Sequence, residues 1–290
     1  MLSSGPVLTA FLIGAIAAIT SGVIGVFSVL RTQSFAGHSL ADIATTGGAG
    51  AFLVGVNQFW GFLVAGLAAA TAMEAIGVQR RRGRDIATGV VLGGALGIAA
   101  LFLYLGTQHT SRTGASFSIL FGSIFVVAPD TVPALIAAGL VALATVAILS
   151  RRLLLTAIAP DLARARGVSA RLTGIIFLAA LAVVVSLSAV AIGAVLSTAL
   201  LVGPAATALR LTRSPGKAVL VSAVTGLAAT WVGIALAYES YYWPPAGHGW
   251  PVSFFVVALV LAAYLLSYAR KPRRPLPPRS PHEGYECSPG

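Results

Sequence analysis

Two side chains that could bind a metal ion, an imidazole and a carboxylate, stand four residues apart in a largely apolar stretch. They are His38 and Asp42 in RTQSFAGHSLADIATTGGAGAFLVG, which runs from Arg31 to Gly55. In a helix this spacing places both on one face, about 5–6 Å apart, and Thr45 and Thr46 extend that polar face by one turn. Neutral imidazole and carboxylate groups both bind first-row divalent cations. The pair is therefore either a transient metal site or gate, or two groups that only hydrogen-bond each other.

Elimination also points to this pair, because the other acids and histidines fall outside the predicted spans or beside basic residues. Glu74 lies near the end of a span, within reach of the arginine cluster at residues 80–84. An ionisable pair inside a membrane is costly unless it has a partner or a function. Two ligands do not complete a metal site, so Thr45 and Thr46, which are candidates for lining a pathway, or water or a second copy of the chain would have to supply the others.

Small residues form a second pattern on the same stretch. Gly47, Ala51 and Gly55 recur every four residues, so in a helix they make a stripe that lets another helix approach closely. We therefore expect one face of this helix to be packed tightly against a neighbour.

The composition indicates an all-α, polytopic helical membrane protein. Of the 290 residues, 57% are hydrophobic and 9% charged, against roughly 25% charged in soluble domains. The continuous apolar runs have the length of about 17–25 residues that suits membrane-spanning helices. The net charge of +11 has no accompanying aromatic-basic pattern, which argues against nucleic-acid binding. The single cysteine, Cys287, excludes an internal disulfide framework and a cysteine-based metal cage.

Nine spans are predicted, with the stretch around His38 the weakest by hydropathy. Residues 106–129 contain an apolar piece that is too short to cross the bilayer and is expected to be re-entrant or interfacial. Asp130 is predicted to cap the next helix, with Pro133 in its first turn. The predicted spans cover about 6–30, 37–56, 60–78, 86–105, 130–149, two helices within 172–209, 218–238 and 252–267; the count falls to eight if one of the first two is re-entrant.

The basic residues test this layout. Alternation of nine spans places Arg31, the arginine cluster at 80–84, the loop at 151–171, the segment at 210–217 and the C-terminal tail on one side, and leaves only Arg112 on the other. This is the asymmetry expected when basic loops face the cytoplasm, with the N-terminus outside. No linker interrupts the spans, so residues 1–270 are predicted to form one transmembrane domain, followed by a disordered cytoplasmic tail at 271–290.

The loop at 151–171 contains a short helix candidate from Pro160 to Arg166, closed by Gly167 as a C-cap. It is either a docking element for a cytoplasmic partner or a solvated basic connector. Catalytic motifs are absent: the sequence has no HExxH, no GxSxG and no GxxxxGK[ST]. If ATP drives this protein, the ATPase is another chain.

Three motifs carry a resemblance to a known family. They are GHSLADIATTG (37–47), PDLARARGV (160–168) and IGAVLSTALLVGPAATALRLTRSPGKA (192–218). Over about residues 6–270, the chain resembles the permease subunits of the zinc/manganese ABC-transporter family. Gly193 and Pro204 match that family's pattern and are candidates for helix packing or gating, together with Gly47, Ala51 and Gly55.

The first two motifs depart from the family's pattern. The family's metal-contacting helix normally carries an aspartate and, four residues on, a histidine that is followed by proline and glycine. Here His38 stands where the acid is expected and Asp42 where the histidine is expected, and Thr46 replaces the proline. The same two ligand types remain on one face. Ala159 replaces a frequent aspartate ahead of Pro160.

The resemblance implies an ABC metal-importer permease fold in the cell membrane, with Zn²⁺ or Mn²⁺ as transported cargo and no permanently bound cofactor. It implies as partners a second permease copy, identical or homologous, cytoplasmic ABC ATPase subunits and an extracytoplasmic metal-binding protein. The family's coupling helix, which docks on the ATPase, corresponds here to Pro160, Asp161, Leu162, Ala163, Arg164, Ala165, Arg166 and Gly167.

Other functions remain open on the residues alone. One is an importer of an iron or iron-chelate cargo, which would need a wide pathway rather than two close ligands. Another is a cation channel or secondary transporter that works without an ATPase. An intramembrane enzyme lacks any supporting motif. Dependence of transport on ATP and on Asp42 separates these possibilities.

Overall fold

The structure is a computed structural model that describes residues 5–76, 85–110, 114–122, 124–243 and 249–269. Two features predicted from the sequence, the arginine cluster at 80–84 and the tail at 271–290, lie outside these residues.

The described residues form eleven α-helices, of which nine have at least 18 residues. The two shorter ones are α5 and α7. In chain order the helices are α1 (Gly5–Leu30), α2 (Ser34–Val54), α3 (Gln58–Ile76), α4 (Asp85–Thr110), α5 (Gly114–Phe121), α6 (Val132–Ile158), α7 (Pro160–Ala165), α8 (Ala170–Ile192), α9 (Ala194–Leu211), α10 (Pro215–Glu239) and α11 (Val252–Ala269). The nine long helices correspond one to one to the nine predicted spans.

Seven of the long helices are apolar enough, as well as long enough, to cross a membrane. The remaining two, α2 and α3, have 21 and 19 residues, which at 1.5 Å per residue is about 30 Å and matches the bilayer core. Hydropathy alone does not select them. The protein is thus an all-α polytopic membrane protein, as its composition predicts.

A glycine and a proline account for two of the helix boundaries. Gly193, at φ +91°, separates α8 from α9. Residues with a β-carbon rarely adopt this backbone conformation, so a glycine is suited to the break. Pro133 lies in the first turn of α6 as predicted, where its missing N–H costs nothing. The predicted capping role of Asp130 is wrong: this residue lies in a 3₁₀ turn, Pro129–Thr131, so the position before α6 is Thr131, and no side-chain cap bond forms there.

The two central helices of the described bundle are α1 and α8. Buried residues make up 72% of the most apolar 18-residue stretch of α8 and 56% of that of α1. Most of their polar side chains are hydroxyls, and some of these bond between the two helices, as do Ser21 and Ser188, whose oxygens are 2.7 Å apart. Buried polar groups need such partners because no water reaches them.

The two ends of the bundle differ in chemistry. At one end, here called the basic end, lie Arg31, α7 and the turn between α9 and α10 with Arg213 and Lys217. At the other, the aromatic end, lie Trp60, Tyr241, Tyr242 and Trp250, all exposed. Basic loops and aromatic belts of this kind are typical of the two membrane–water boundaries.

Candidate functional site

A tight turn positions the start of α2. After α1 ends at Leu30, the amide of Gln33 donates to the Ser28 carbonyl at 2.8 Å, and Thr32 adopts φ +55°. A positive φ is uncommon for threonine, so the surrounding contacts hold this turn in place. The helix that follows therefore begins at Ser34 and carries His38 in its second turn at the basic end.

His38 and Asp42 lie side by side on α2, as the spacing predicts. The His38 Nε2 is 3.6 Å from the Asp42 Oδ2, and the two side chains are 48% and 14% exposed. This separation exceeds that of a hydrogen bond. It is close to the value of about 3.4 Å expected for two ligands that bind one ion at about 2.1 Å with tetrahedral geometry. The geometry therefore fits two ligands of one cation better than a mutual hydrogen bond.

A residue that sequence reasoning missed completes the setting of the imidazole. The Nδ1 of His38 is 3.2 Å from the Oγ1 of Thr198 on α9. The two ring nitrogens thus face different partners, a hydroxyl and a carboxylate, and a hydrogen bond at one nitrogen determines which tautomer the other presents. The only signal for Thr198 in the sequence is a polar residue within the apolar run of the third motif.

The structure separates Thr45 and Thr46 from this pair. Thr45 is 2% exposed, and its hydroxyl donates to the Ala41 carbonyl at 2.7 Å. The hydroxyl of Thr46 donates to the Ala95 carbonyl of α4 at 2.7 Å. Both hydroxyls are therefore engaged with backbone oxygens, and their contribution to a pathway remains a prediction. Among the described residues, no group of three His, Cys, Asp or Glu side chains is placed to hold a metal ion.

The small residues of α2 meet α3. A β-carbon on Gly47 would overlap the carbonyl oxygen of Gly61, and one on Gly61 would come within 2.6 Å of the Ala51 β-carbon. The helices are in backbone contact there, as small residues at this spacing permit. Gly55 does not take part, contrary to the stripe predicted from the sequence, because α2 ends at Val54. Gly55 is the C-cap at φ +79°, and nothing lies within 4 Å of its β position.

The break between α8 and α9 packs against the end of α5. A β-carbon on Gly193 would come within 2.5 Å of the Gly122 amide nitrogen, and one on Gly122 would come within 2.6 Å of the Gly193 amide nitrogen. Both glycines also have positive φ values, +91° and +81°. Pro204 lies inside α9 and is buried, and it leaves the Leu200 carbonyl without a helical amide donor. Thus α9, the helix that carries Thr198, begins at a glycine break and lacks one backbone hydrogen bond at Pro204.

The family model described as the ABC 3 transport family matches residues 5–269. The chain belongs to this family.

Relatives of this ABC 3 family chain include permeases that are named for manganese and zinc systems. It is 30% identical over 236 residues to the manganese import system permease protein ScaB of Streptococcus pneumoniae, and the match covers 80% of each chain. It is 26% identical over 206 residues to the high-affinity zinc uptake system membrane protein ZnuB of Haemophilus influenzae, with coverage of 71% of this chain and 78% of ZnuB.

A solved structure has the same fold. The structure described as PsaBC from Streptococcus pneumoniae in complex with Fab superposes with a TM-score of 0.73 at 23% identity, and the alignment covers 92% of each chain. This ABC 3 family chain therefore has the helical permease fold expected from the resemblance.

The segment from Pro160 to Gly167 forms the predicted short helix in this ABC 3 family chain. Asp161 and Arg164 form an exposed pair at 3.7 Å, with side chains 95% and 77% exposed, whereas Ala163 is buried. Gly167 has φ +71° and donates its amide to the Arg164 carbonyl at 3.0 Å, which closes the helix as a C-terminal glycine does. The helix thus exposes a charged face, whereas the opposite face is buried at Ala163.

Arg31 connects the start of α2 to the helix that leads into α7. Its Nη1 donates to the Thr156 Oγ1 near the end of α6 at 2.6 Å, and its guanidinium lies 5.5 Å from the centre of the Phe177 ring on α8. Burial lowers the pKa of this guanidinium, and the nearby Glu74 carboxylate opposes that shift. One cation after the end of α1 therefore contacts α6 and α8 at the basic end, close to the carboxylate of Glu74 on α3.

Proposed function

We propose that this chain is the membrane-spanning permease subunit of an ABC importer that moves a divalent metal ion, Mn²⁺ or Zn²⁺, into the cytoplasm. The observation that carries the proposal is the arrangement of His38 Nε2 and Asp42 Oδ2, 3.6 Å apart on a spanning helix with the imidazole half exposed. A partly exposed imidazole and carboxylate bind first-row divalent cations reversibly. The family and the named manganese and zinc permeases among its relatives support this cargo.

One chain supplies only two metal ligands, so the assembled transporter must supply the others. Four to six ligands surround such ions, and the described residues supply no third histidine, cysteine or acid at this place. We therefore propose that a second permease copy presents its own pair across the pathway, with water or hydroxyls completing the shell. A shell with few protein ligands keeps the ion weakly held, as passage through a transporter requires.

The charge distribution supports an orientation with the basic end in the cytoplasm. In that orientation α7 projects its charged face towards an ABC ATPase subunit, and the aromatic end faces the extracytoplasmic binding protein that delivers the metal. His38 then lies nearer the cytoplasmic side. ATP binding and hydrolysis would move the helices and open the pathway alternately to each side.

Metal uptake by the reconstituted complex of permease and ATPase tests the metal-ligand role. Asp42→Asn keeps the size of the side chain but removes the anionic ligand, so we expect uptake of radioactive Mn²⁺ or Zn²⁺ to fall at least tenfold. Glu239→Gln, at an exposed acid on the end of α10, is the matched control and should transport normally. Unchanged uptake in both Asp42→Asn and His38→Ala would refute the ligand role. Uptake that needs no ATPase would favour a channel or secondary transporter instead.

Co-purification with the ATPase tests the docking role of α7 separately. The double substitution of Leu162→Asp and Arg164→Glu changes its exposed face and leaves the buried Ala163 intact. We expect ATPase recovery to fall at least fivefold with normal permease yield, whereas Arg213→Glu, elsewhere at the basic end, should leave it unchanged. Equal recovery for both variants would mean that α7 is only a solvated connector.

A further inference from the structure

A cavity of about 240 Å³ opens at the basic end between the end of α6 and the start of α8. Its wall has a polar part and an apolar part. The polar part consists of Arg152, Arg166, Ser169 and Thr173, and the apolar part of Leu149, Val168, Leu172 and Ile176, with Gly167 between them. None of the groups assigned to the metal pathway takes part, and only Arg166 and Gly167 belong to the segment proposed to dock the ATPase.

The polar part carries two positive charges without compensation. Arg152 and Arg166 come from different segments and line the same cavity, and among the described residues neither has an acidic partner. Their neighbour Arg164, by contrast, pairs with Asp161. Two guanidinium groups on one cavity repel each other, and their planar donor forks match the oxygens of a phosphate group. An anion with phosphate geometry is therefore the ligand that this wall favours.

The hydroxyl of Ser169 adds one donor to this wall. Its oxygen accepts the amide of Leu172 at 3.3 Å, which leaves the hydroxyl proton free to bond an anion. The Thr173 hydroxyl, in contrast, already donates to the Ser169 carbonyl at 2.9 Å. The cavity thus offers two guanidinium groups and one hydroxyl to a single ligand.

The apolar part indicates a ligand with a hydrocarbon tail. Leu172 is 55% exposed, and further along the same helix pair Ile148 on α6 is 78% exposed. From Ser169 to Thr173 the wall extends about 6 Å along α8, which is long enough for one ligand to place a phosphate against the polar part and its first acyl carbons against the apolar part. A free phosphate ion would use only the polar part.

We propose that this cavity binds the phosphate of an anionic phospholipid in the leaflet at the basic end. Arg152 and Arg166 hold the phosphate oxygens, Ser169 donates a third hydrogen bond, and an acyl chain lies along Leu149, Leu172 and Ile176. Basic pockets between transmembrane helices on the cytoplasmic side bind anionic head groups in this way. The bound lipid would hold together the ends of α6 and α8 that support α7. This proposal stands independently of the cargo.

Lipid binding by the purified permease in detergent tests the proposal. Phosphatidylglycerol, phosphatidylcholine and inorganic phosphate are added separately, and bound lipid is counted by native mass spectrometry alongside the midpoint of thermal unfolding. For the wild-type chain we expect phosphatidylglycerol to bind at least tenfold more tightly than phosphatidylcholine and to raise the midpoint by several degrees. Inorganic phosphate at 10 mM or less should not raise it.

Matched arginine variants locate the site. Arg152→Gln with Arg166→Gln should reduce phosphatidylglycerol binding at least fivefold. Arg151→Gln with Arg171→Gln changes two exposed neighbours that do not line the cavity and should bind lipid as the wild-type chain does. Arg152→Lys, which keeps the charge but loses the fork, should give an intermediate reduction, and it provides the test if the double variant does not fold.

Three outcomes would overturn the proposal. Equal losses in both double variants would show general surface electrostatics instead of a site. A thermal shift with inorganic phosphate as large as that with phosphatidylglycerol would show a free-anion site. Unchanged lipid binding in Arg152→Gln, together with lost ATPase co-purification, would show that the ATPase is the occupant of the cavity.

Discussion

The two halves of α2 meet the rest of the protein in opposite ways. Towards the aromatic end, Gly47 and Ala51 bring the helix into backbone contact with α3, and no side chain separates the two. Towards the basic end, the side chains of His38 and Asp42 are partly exposed. One helix thus combines a rigid attachment with a polar, accessible face.

This difference separates the residues that hold α2 in place from those proposed to contact the cargo. Where helices touch through their backbones, an added methyl group has no space, so the substitution lowers the free energy of unfolding. Where a polar pair lines an opening, substitution changes the chemistry and leaves most packing intact. Substitutions in the two halves should therefore affect different measurements.

The largest effect on stability is expected from Gly47→Val. Its side chain would overlap the Gly61 carbonyl and the Ala65 methyl group, so α2 and α3 would have to move apart. We expect a loss of about 3 kcal/mol or more, seen as a lower unfolding midpoint and a smaller monodisperse fraction in detergent. Gly50→Ala is the control on the same helix, because its β-carbon would lie 3.4 Å from the nearest Phe102 atom. An unfolding midpoint of Gly47→Val equal to that of the wild-type chain would show that α2 and α3 are not tightly packed at Gly47.

An intermediate effect is expected from Arg31→Met, at the start of the polar half. The substitution removes the hydrogen bond to Thr156 and the charge near Glu74, while the methionine side chain retains much of the apolar packing. Loss of such a charge-assisted bond costs about 1.5–3 kcal/mol. Thermal unfolding measures this loss, and Arg213→Met, at an exposed arginine, serves as the control. A loss larger than that of Gly47→Val would show that the turn before α2, and not the contact with α3, is its main attachment.

The smallest effect on stability is expected from Thr198→Val, which leaves the His38 ring without its hydroxyl partner. The stability change should stay below about 1 kcal/mol, because the imidazole is half exposed. Metal affinity should nevertheless fall about tenfold, as is typical when a histidine ligand loses the group that orients it. Thr207→Val is the control, since that hydroxyl donates to the Gly203 carbonyl of its own helix. Unchanged metal affinity would show that Thr198 does not orient the imidazole.

The sequence by itself determined the membrane class, the position of all nine long helices and the pairing of His38 with Asp42. It also located the short helix closed by Gly167. These features depend on interactions within one or two helical turns, such as continuous apolarity, a four-residue spacing or the conformational freedom of one glycine. Asp130 shows the limit of this local reasoning, because an intervening 3₁₀ turn moved the N-cap of α6 from Asp130 to Thr131.

Only the tertiary structure decided which side chains meet between helices. The contact of Thr198 with His38, the facing glycines at 122 and 193, and the cavity between Arg152 and Arg166 all join residues from different segments of the chain. A helix that is apolar on every side carries little pattern to show which face turns inward. Its rotation depends instead on how small residues and hydroxyls fit those of its neighbours, and that fit exists only once the bundle has assembled.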